Sequence, residues 1–201
     1  MSFYMEEEKK KILDVKTYHQ FPDYPTGCEV ISLYLLLKFY NVDVTPMELV
    51  DKIKKGQMPH FFNGNYYGDS PLNYFIGNPT SRHSYGVYNT PIGELANCYK
   101  KGVIIKNDFD EEDIIHLLKQ DRPVVAWVTI HLNDPFVSAE WLDLKSGEKI
   151  EWYSGEHAVV VMGYTDDEFI VSDPYTGSIR YFSKEKFRPV YKKLGKRVVY
   201  Y

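Results

Sequence analysis

The chain has little of what several protein classes depend on. It carries only two cysteines in 201 residues, too few for a disulfide framework or a four-cysteine zinc site. No apolar run approaches the roughly 20 residues of a membrane span; the run Val30–Tyr40 is about half that length. Positive charge is not in surplus, since 24 Lys and Arg stand against 28 Asp and Glu for a net charge of -4. With no dense basic stripe either, neither nucleic acid nor a membrane surface is an expected partner. The start, MSFYMEEEKKKILDVKTY, lacks an apolar stretch of signal-peptide length and puts glutamates where a basic n-region would stand. The default compartment is therefore the cytoplasm, although a secreted chain already relieved of its leader would read the same.

What remains is an ordinary globular composition, 44% hydrophobic and 26% charged, on a chain long enough to bury roughly 70% of its extended surface without staples. The expected organisation is one domain over 1–201, with a helical half over about 1–121 and a sheet half over about 122–201. Thr26 and Glu29 have the spacing of a capping box, opening a helix to about Tyr40 that is apolar nearly all round and so belongs in the centre. Thr45, Pro46 and Glu48 start a second helix, ending by Gly56. Between 56 and 89, Gly, Asn, Pro and aromatics follow one another without a period, which predicts a long irregular segment of the kind used as lids or binding loops. Two amphipathic helices follow, Thr90–Gly102 and Asp110–Asp121. Strands come next: PVVAWVTI, then HAVVVMGY and EFIVSDP joined by a turn, then SIRYF, with a short helix and RVVYY closing the chain. Helices first and antiparallel strands second is an α+β order.

Cys28 lies where the loop becomes the first helix. There, unpaired N–H groups and the helix dipole favour a thiolate, and a nearby cation would draw its pKa down further. A cysteine nucleophile needs a base, a group to orient the base, and oxyanion donors. His157 opens one strand and Asp173 closes the next, so an antiparallel hairpin makes them neighbours at one end. Gln20, on the loop before the cysteine, is a neutral donor suited to an oxyanion, with His19 as its competitor. Cys98 reads as a packing residue on the Ile92/Leu95/Tyr99 face of its helix. Trp127, Trp141 and Trp152 read as core or groove-lining rings. His60, His83, His116 and His131 have no metal-ligand spacing. A metal held by Cys28, His157 and Asp173 is chemically conceivable but not expected.

The pattern Q…PDYPTGCE…S followed by GEHAVVVMGY…FIVSDPYTG resembles the bacterial family-39-type cysteine peptidases, papain-like enzymes best known as leader-cleaving domains of bacteriocin transporters. The likeness covers nearly the whole chain with its motifs in order. It implies a papain-like fold, Cys28 as nucleophile, His157 as base and acid, Asp173 as orienting group, Gln20 as oxyanion donor, a peptide or protein substrate, and no cofactor or metal. With no membrane or ATPase domain in this sequence, the transporter setting and its double-glycine substrate are not carried over. Two alternatives stay open: an acyltransferase, deamidase or transglutaminase-like enzyme on the same triad, and a peptide-binding module without turnover. Oligomeric state is not legible.

Overall fold

A computed structural model describes residues 9–201; the reading of residues 1–8 as free of an export signal lies outside the described residues. In chain order the elements begin with β1 (Lys11–Ile12), α1 (Cys28–Phe39), α2 (Pro46–Lys52), β2 (Lys55–Gly56), β3 (His60–Phe62), β4 (Asn65–Gly68) and β5 (Phe75–Ile76). There follow α3 (Asn89–Tyr99), β6 (Ile104–Lys106), α4 (Glu111–Lys119), β7 (Val124–Thr129), β8 (Val137–Asp143) and β9 (Lys149–Tyr153). The chain closes with β10 (Glu156–Tyr164), β11 (Glu168–Asp173), β12 (Ser178–Ser183), α5 (Lys184–Lys193) and β13 (Val198–Tyr200).

The main sheet runs β12-β11-β10-β7-β13-β6, with β1 pairing to the far end of β10. Its pairings are antiparallel, and the α+β class follows. Every residue of β7 and β10 is buried, so both faces of the sheet centre are covered, and the β-branched runs read from the sequence are explained by that double burial. Helix α1 lies against β10 and β7. Val30, Ile31, Leu33, Leu36 and Leu37 are fully or almost fully buried, which is why the helix shows no polar side. Ser32 escapes the cost of an unpaired buried hydroxyl by donating to the Ala158 carbonyl at 3.0 Å, which ties α1 to β10.

Helix α2 carries the expected capping box: the Glu48 N–H donates to Thr45 Oγ1, and the Thr45 N–H donates to Glu48 Oε2. At α1 the expected box is absent. The N-cap is Gly27 without a side-chain cap. Thr26 Oγ1 instead donates to the carbonyls of Ser81 (2.9 Å) and Asn78 (3.3 Å), and Glu29 is turned into the core. Tertiary partners outbid the local ones. The helix therefore starts at Cys28 itself, in its first turn.

The 56–89 segment is less irregular than its composition predicts. It holds β2 to β5, and its β3–β4 hairpin joins β8 and β9 in a second, four-stranded sheet β3-β4-β8-β9. Tyr85 packs on Trp141 and Trp152, and Tyr88 stacks on Trp152, so the inner half of the segment is core. Trp127 is buried too, its indole N–H donating to the Val87 carbonyl. Among the described residues no helix is long and apolar enough to cross a membrane.

Candidate active site

The hairpin β10–β11 sets Val160 opposite Ser172. Asp173 is one residue further on, and alternation puts its side chain on the face shared by Val159 and His157. His157 and Asp173 are each 1% exposed, and the imidazole Nε2 lies 2.7 Å from Asp173 Oδ1. The same carboxyl oxygen accepts the Tyr175 N–H at 2.9 Å. Burial pushes the Asp173 carboxyl up, but the hydrogen bond and charge of His157, the Tyr175 N–H and Arg180 together outweigh it and hold the group below its ordinary value. An anchored carboxylate fixes the ring, and with Nε2 spent on it, Nδ1 is the nitrogen left for proton transfer.

Tyr175 stands edge-on to the imidazole, with centroids 6.1 Å apart, and Phe21 and His131 pack against Tyr175 in turn. His131 and Leu132 both have positive φ, 59° and 55°. Two successive non-glycine residues in the left-handed region are costly and persist where surrounding structure imposes them.

Cys28 is buried at 6% exposure. Its thiol donates to Glu29 Oε2 at 3.3 Å, while the Ala158 N–H points at the sulfur. The sulfur thus rests against the backbone of the residue after His157, but its hydrogen bond goes to a carboxylate rather than to the imidazole. The sequence led us to expect a thiol with a lowered pKa. In this rotamer the opposite holds: burial, then the charges of Glu29 and Glu156, push the Cys28 thiol well up, and the Ala158 N–H only partly offsets them.

Gln20 is 2% exposed. Its backbone N–H donates to the Pro174 carbonyl at 3.0 Å, fastening the loop to the tip of the hairpin that carries Asp173. Its side-chain amide donates to the carbonyls of Tyr24 and Pro25 at 3.2 and 3.1 Å, and Oε1 is buried without a partner. Exchanging the amide oxygen and nitrogen would set an oxygen against two carbonyls, so the orientation is the one those acceptors require. The structure therefore brings His157 and Asp173 into contact, sets Cys28 one residue away along β10, and occupies the Gln20 donors within their own loop.

The Peptidase_C39 like family matches residues 12–199. The chain belongs to this family. "Uncharacterized protein YvpB" from Bacillus subtilis (strain 168) is 30% identical over 193 residues, covering 94% of this chain and 75% of that protein. A crystal structure of a protein from Bacillus anthracis, called a "putative C39-like peptidase", superposes with a TM-score of 0.87 at 26% identity over 96% of this chain and 98% of that one. The papain-like frame read from the sequence is thus shared with a C39-like structure.

In this C39-like chain, sequence reasoning missed two residues. Glu29 is fully buried and Glu156 is 8% exposed, and their carboxyls face each other. Glu29 also accepts the Val87 N–H at 2.8 Å and the Cys28 thiol. The thiol and the two carboxyls offer donor atoms all within 4.8 Å of one another, near enough to converge on one cation or one proton. Burial raises Glu29 to about 7 despite its own N–H, the Val87 N–H, Cys28 and Glu156, all of which favour the anion. Burial first and the Glu29 charge second hold Glu156 well above the carboxylate range, with Arg197 only partly opposing them. The available signal was adjacency, since Glu29 follows Cys28 and Glu156 precedes His157. Cys98, expected to pack, is exposed instead, its thiol donating weakly to the Glu94 carbonyl. That helix buries Ile92, Leu95 and Ala96, and Cys98 falls off the stripe they form.

Proposed function

We propose that this chain is a cysteine peptidase acting through Cys28, His157 and Asp173. The observation that carries the reading is the buried 2.7 Å His157–Asp173 contact, placed one residue from the backbone N–H that touches the Cys28 sulfur at a helix N-terminus. A rotation of the Cys28 side chain toward Nδ1 lets His157 take the thiol proton, with Asp173 holding the ring and balancing the imidazolium. The thiolate attacks the substrate carbonyl carbon, and the resulting oxyanion is met by the Cys28 N–H, which has no intrahelical acceptor in the first turn. Gln20 joins it once one of its two loop bonds opens. His157 then returns the proton to the leaving amine, and water, deprotonated by the same ring, hydrolyses the thioester.

A module that binds peptide without turnover has one observation in its favour, the thiol's bond to Glu29 in place of the imidazole. A peptide-library cleavage screen separates the two. The peptidase reading expects products from the wild type and none from Cys28→Ala. Tight peptide binding with no products from either would establish the silent module.

A further inference from the structure

The buried acid pair beside the nucleophile has no part in the reaction just described. Two carboxyls in contact, out of water, cannot both ionise at neutral pH without a large penalty. The usual remedy is a cation in direct contact, and among the described residues neither group has an ion pair. Arg197 is the cation that faces Glu156, and its own hydrogen bonds reach Asn89 and Asn107. A proton is the remaining compensator. Its place is marked by hydrogen bonding. Glu29 accepts from the Val87 N–H at 2.8 Å and the Cys28 thiol at 3.3 Å, and its own N–H and the Glu156 carboxyl also favour its anion. Glu156 Oε1, by contrast, is buried with no hydrogen-bond partner among the described residues. Glu29 is built to be the anion and Glu156 the acid. Gly86 keeps the space open, because a Cβ there would strike Glu29 Oε1 and crowd Glu156 Oε2 and Trp152.

We propose that Glu29 and Glu156 are positioning residues for Cys28. Glu156 donates its proton to Glu29, and Glu29 holds the Cys28 S–H, parking the sulfur beside Ala158 until protonation of Glu29 releases it toward His157. This rests on the peptidase reading for its purpose but not for its geometry. The groups that bear on the switch are few. Glu29 faces Cys28 on its own helix, Glu156 on β10 and Tyr88 at the start of α3; Glu156 also faces Arg197 ahead of β13; Tyr88 in turn faces Tyr153 on β9. Tyr88 stays neutral around pH 7, burial pushing its hydroxyl up. Proton uptake by Glu29, raised by burial to about 7, falls in that range.

The consequence inverts the behaviour of an ordinary thiol, whose alkylation quickens with pH until it is fully ionised. Here parking strengthens as Glu29 ionises, so alkylation of Cys28 slows as pH rises through about 7.

The test is the rate of Cys28 carbamidomethylation by iodoacetamide from pH 5.5 to 8.5, read by peptide mass spectrometry on the full chain. The wild type should slow by up to about tenfold per pH unit above the midpoint. Glu29→Gln cannot ionise, keeps an oxygen for the Val87 N–H and should show no decline. Glu156→Gln still donates to Glu29 and should keep the decline. Glu156→Ala withdraws that donor and should move its midpoint upward. A melting curve for each variant shows that it is folded, and Glu156→Gln keeps the proposal falsifiable if Glu29→Gln is not.

A wild-type rate that climbs steadily to pH 8.5, with Glu29→Gln tracking it, overturns the proposal. A decline that appears only with added Zn²⁺ and vanishes with EDTA assigns the cluster to a cation and also overturns it. Loss of the decline in Glu29→Gln, with no peptide cleaved by the wild type, leaves the acid pair standing and removes the peptidase. Peptide cleavage with an alkylation profile indifferent to Glu29 does the reverse.

Discussion

The two sides of β10 treat buried carboxyls in opposite ways. On one side Asp173 meets an imidazole, a partner that can become its opposite charge, and the fold holds the carboxyl below its ordinary value. On the other, one residue earlier along the strand, Glu156 meets a second carboxyl, and the fold pushes both well above theirs. Both pairs are dry. Burial disfavours charge in each, so the sign of the shift is decided by the partner. One strand thus turns an imidazole–carboxylate pair to one face and a pair of carboxyls to the other, with the Cys28 thiol bonded on the second side.

Disabling the base should give the largest effect. His157→Ala removes the proton acceptor but leaves the acid pair, and turnover of a cleaved peptide should fall by about 10²–10⁴-fold. A variant within threefold of wild type would take His157 out of the reaction. Gln20→Ala comes next. If an oxyanion draws the amide away from Tyr24 and Pro25, turnover should fall by about 10²–10³-fold, and steady-state rates on the same peptide measure it. A loss below threefold would confine Gln20 to fastening the loop.

A smaller effect sharpens the comparison through pH and stability. Glu29 is raised to about 7 from roughly 4.3 in an unfolded chain, so the folded state binds this proton more tightly than the unfolded one. Its contribution is fullest below about pH 4.3 and is lost as pH rises to about 7, a change on the order of 4 kcal/mol. Asp173 runs the other way: its contribution is present above roughly pH 3.9 and is lost as pH falls further. Urea unfolding at pH 5 and pH 8 should therefore show wild type losing more stability over this interval than Glu29→Gln, which keeps only the Glu156 share of the loss. Parallel losses in both proteins would mean that Glu29 is not the group that titrates.

How much of this was legible depends on how far apart the determinants lie. Helix α2 reads correctly because its cap, proline and glutamate sit within four residues of one another. The His157–Asp173 pairing is also visible, since a hairpin with a short turn fixes which strand ends meet. Thr26 and Glu29 mimic the α2 signal and mislead. Their side chains are taken by Ser81, Asn78 and Val87, partners more than fifty residues along the chain that no local rule weighs. The acid pair is hidden for the same reason, because its members sit in separate motifs and Glu29 reads as the glutamate of a helix cap. The second sheet went unread because β3 is exposed throughout and β8 and β9 bury only Trp141, Asp143 and Trp152, which leaves little hydrophobic alternation to detect.

The central claim is that Cys28 becomes a nucleophile through His157, and the chain carries its own control in Cys98, an exposed thiol. The most direct measurement exposes the folded protein at pH 6 to substoichiometric iodoacetamide and asks which cysteine is modified first. This account predicts Cys28 ahead of Cys98 despite its burial, with the order reversed in His157→Ala. Modification of Cys98 first in the wild type, with Cys28 reached only on unfolding, would contradict it.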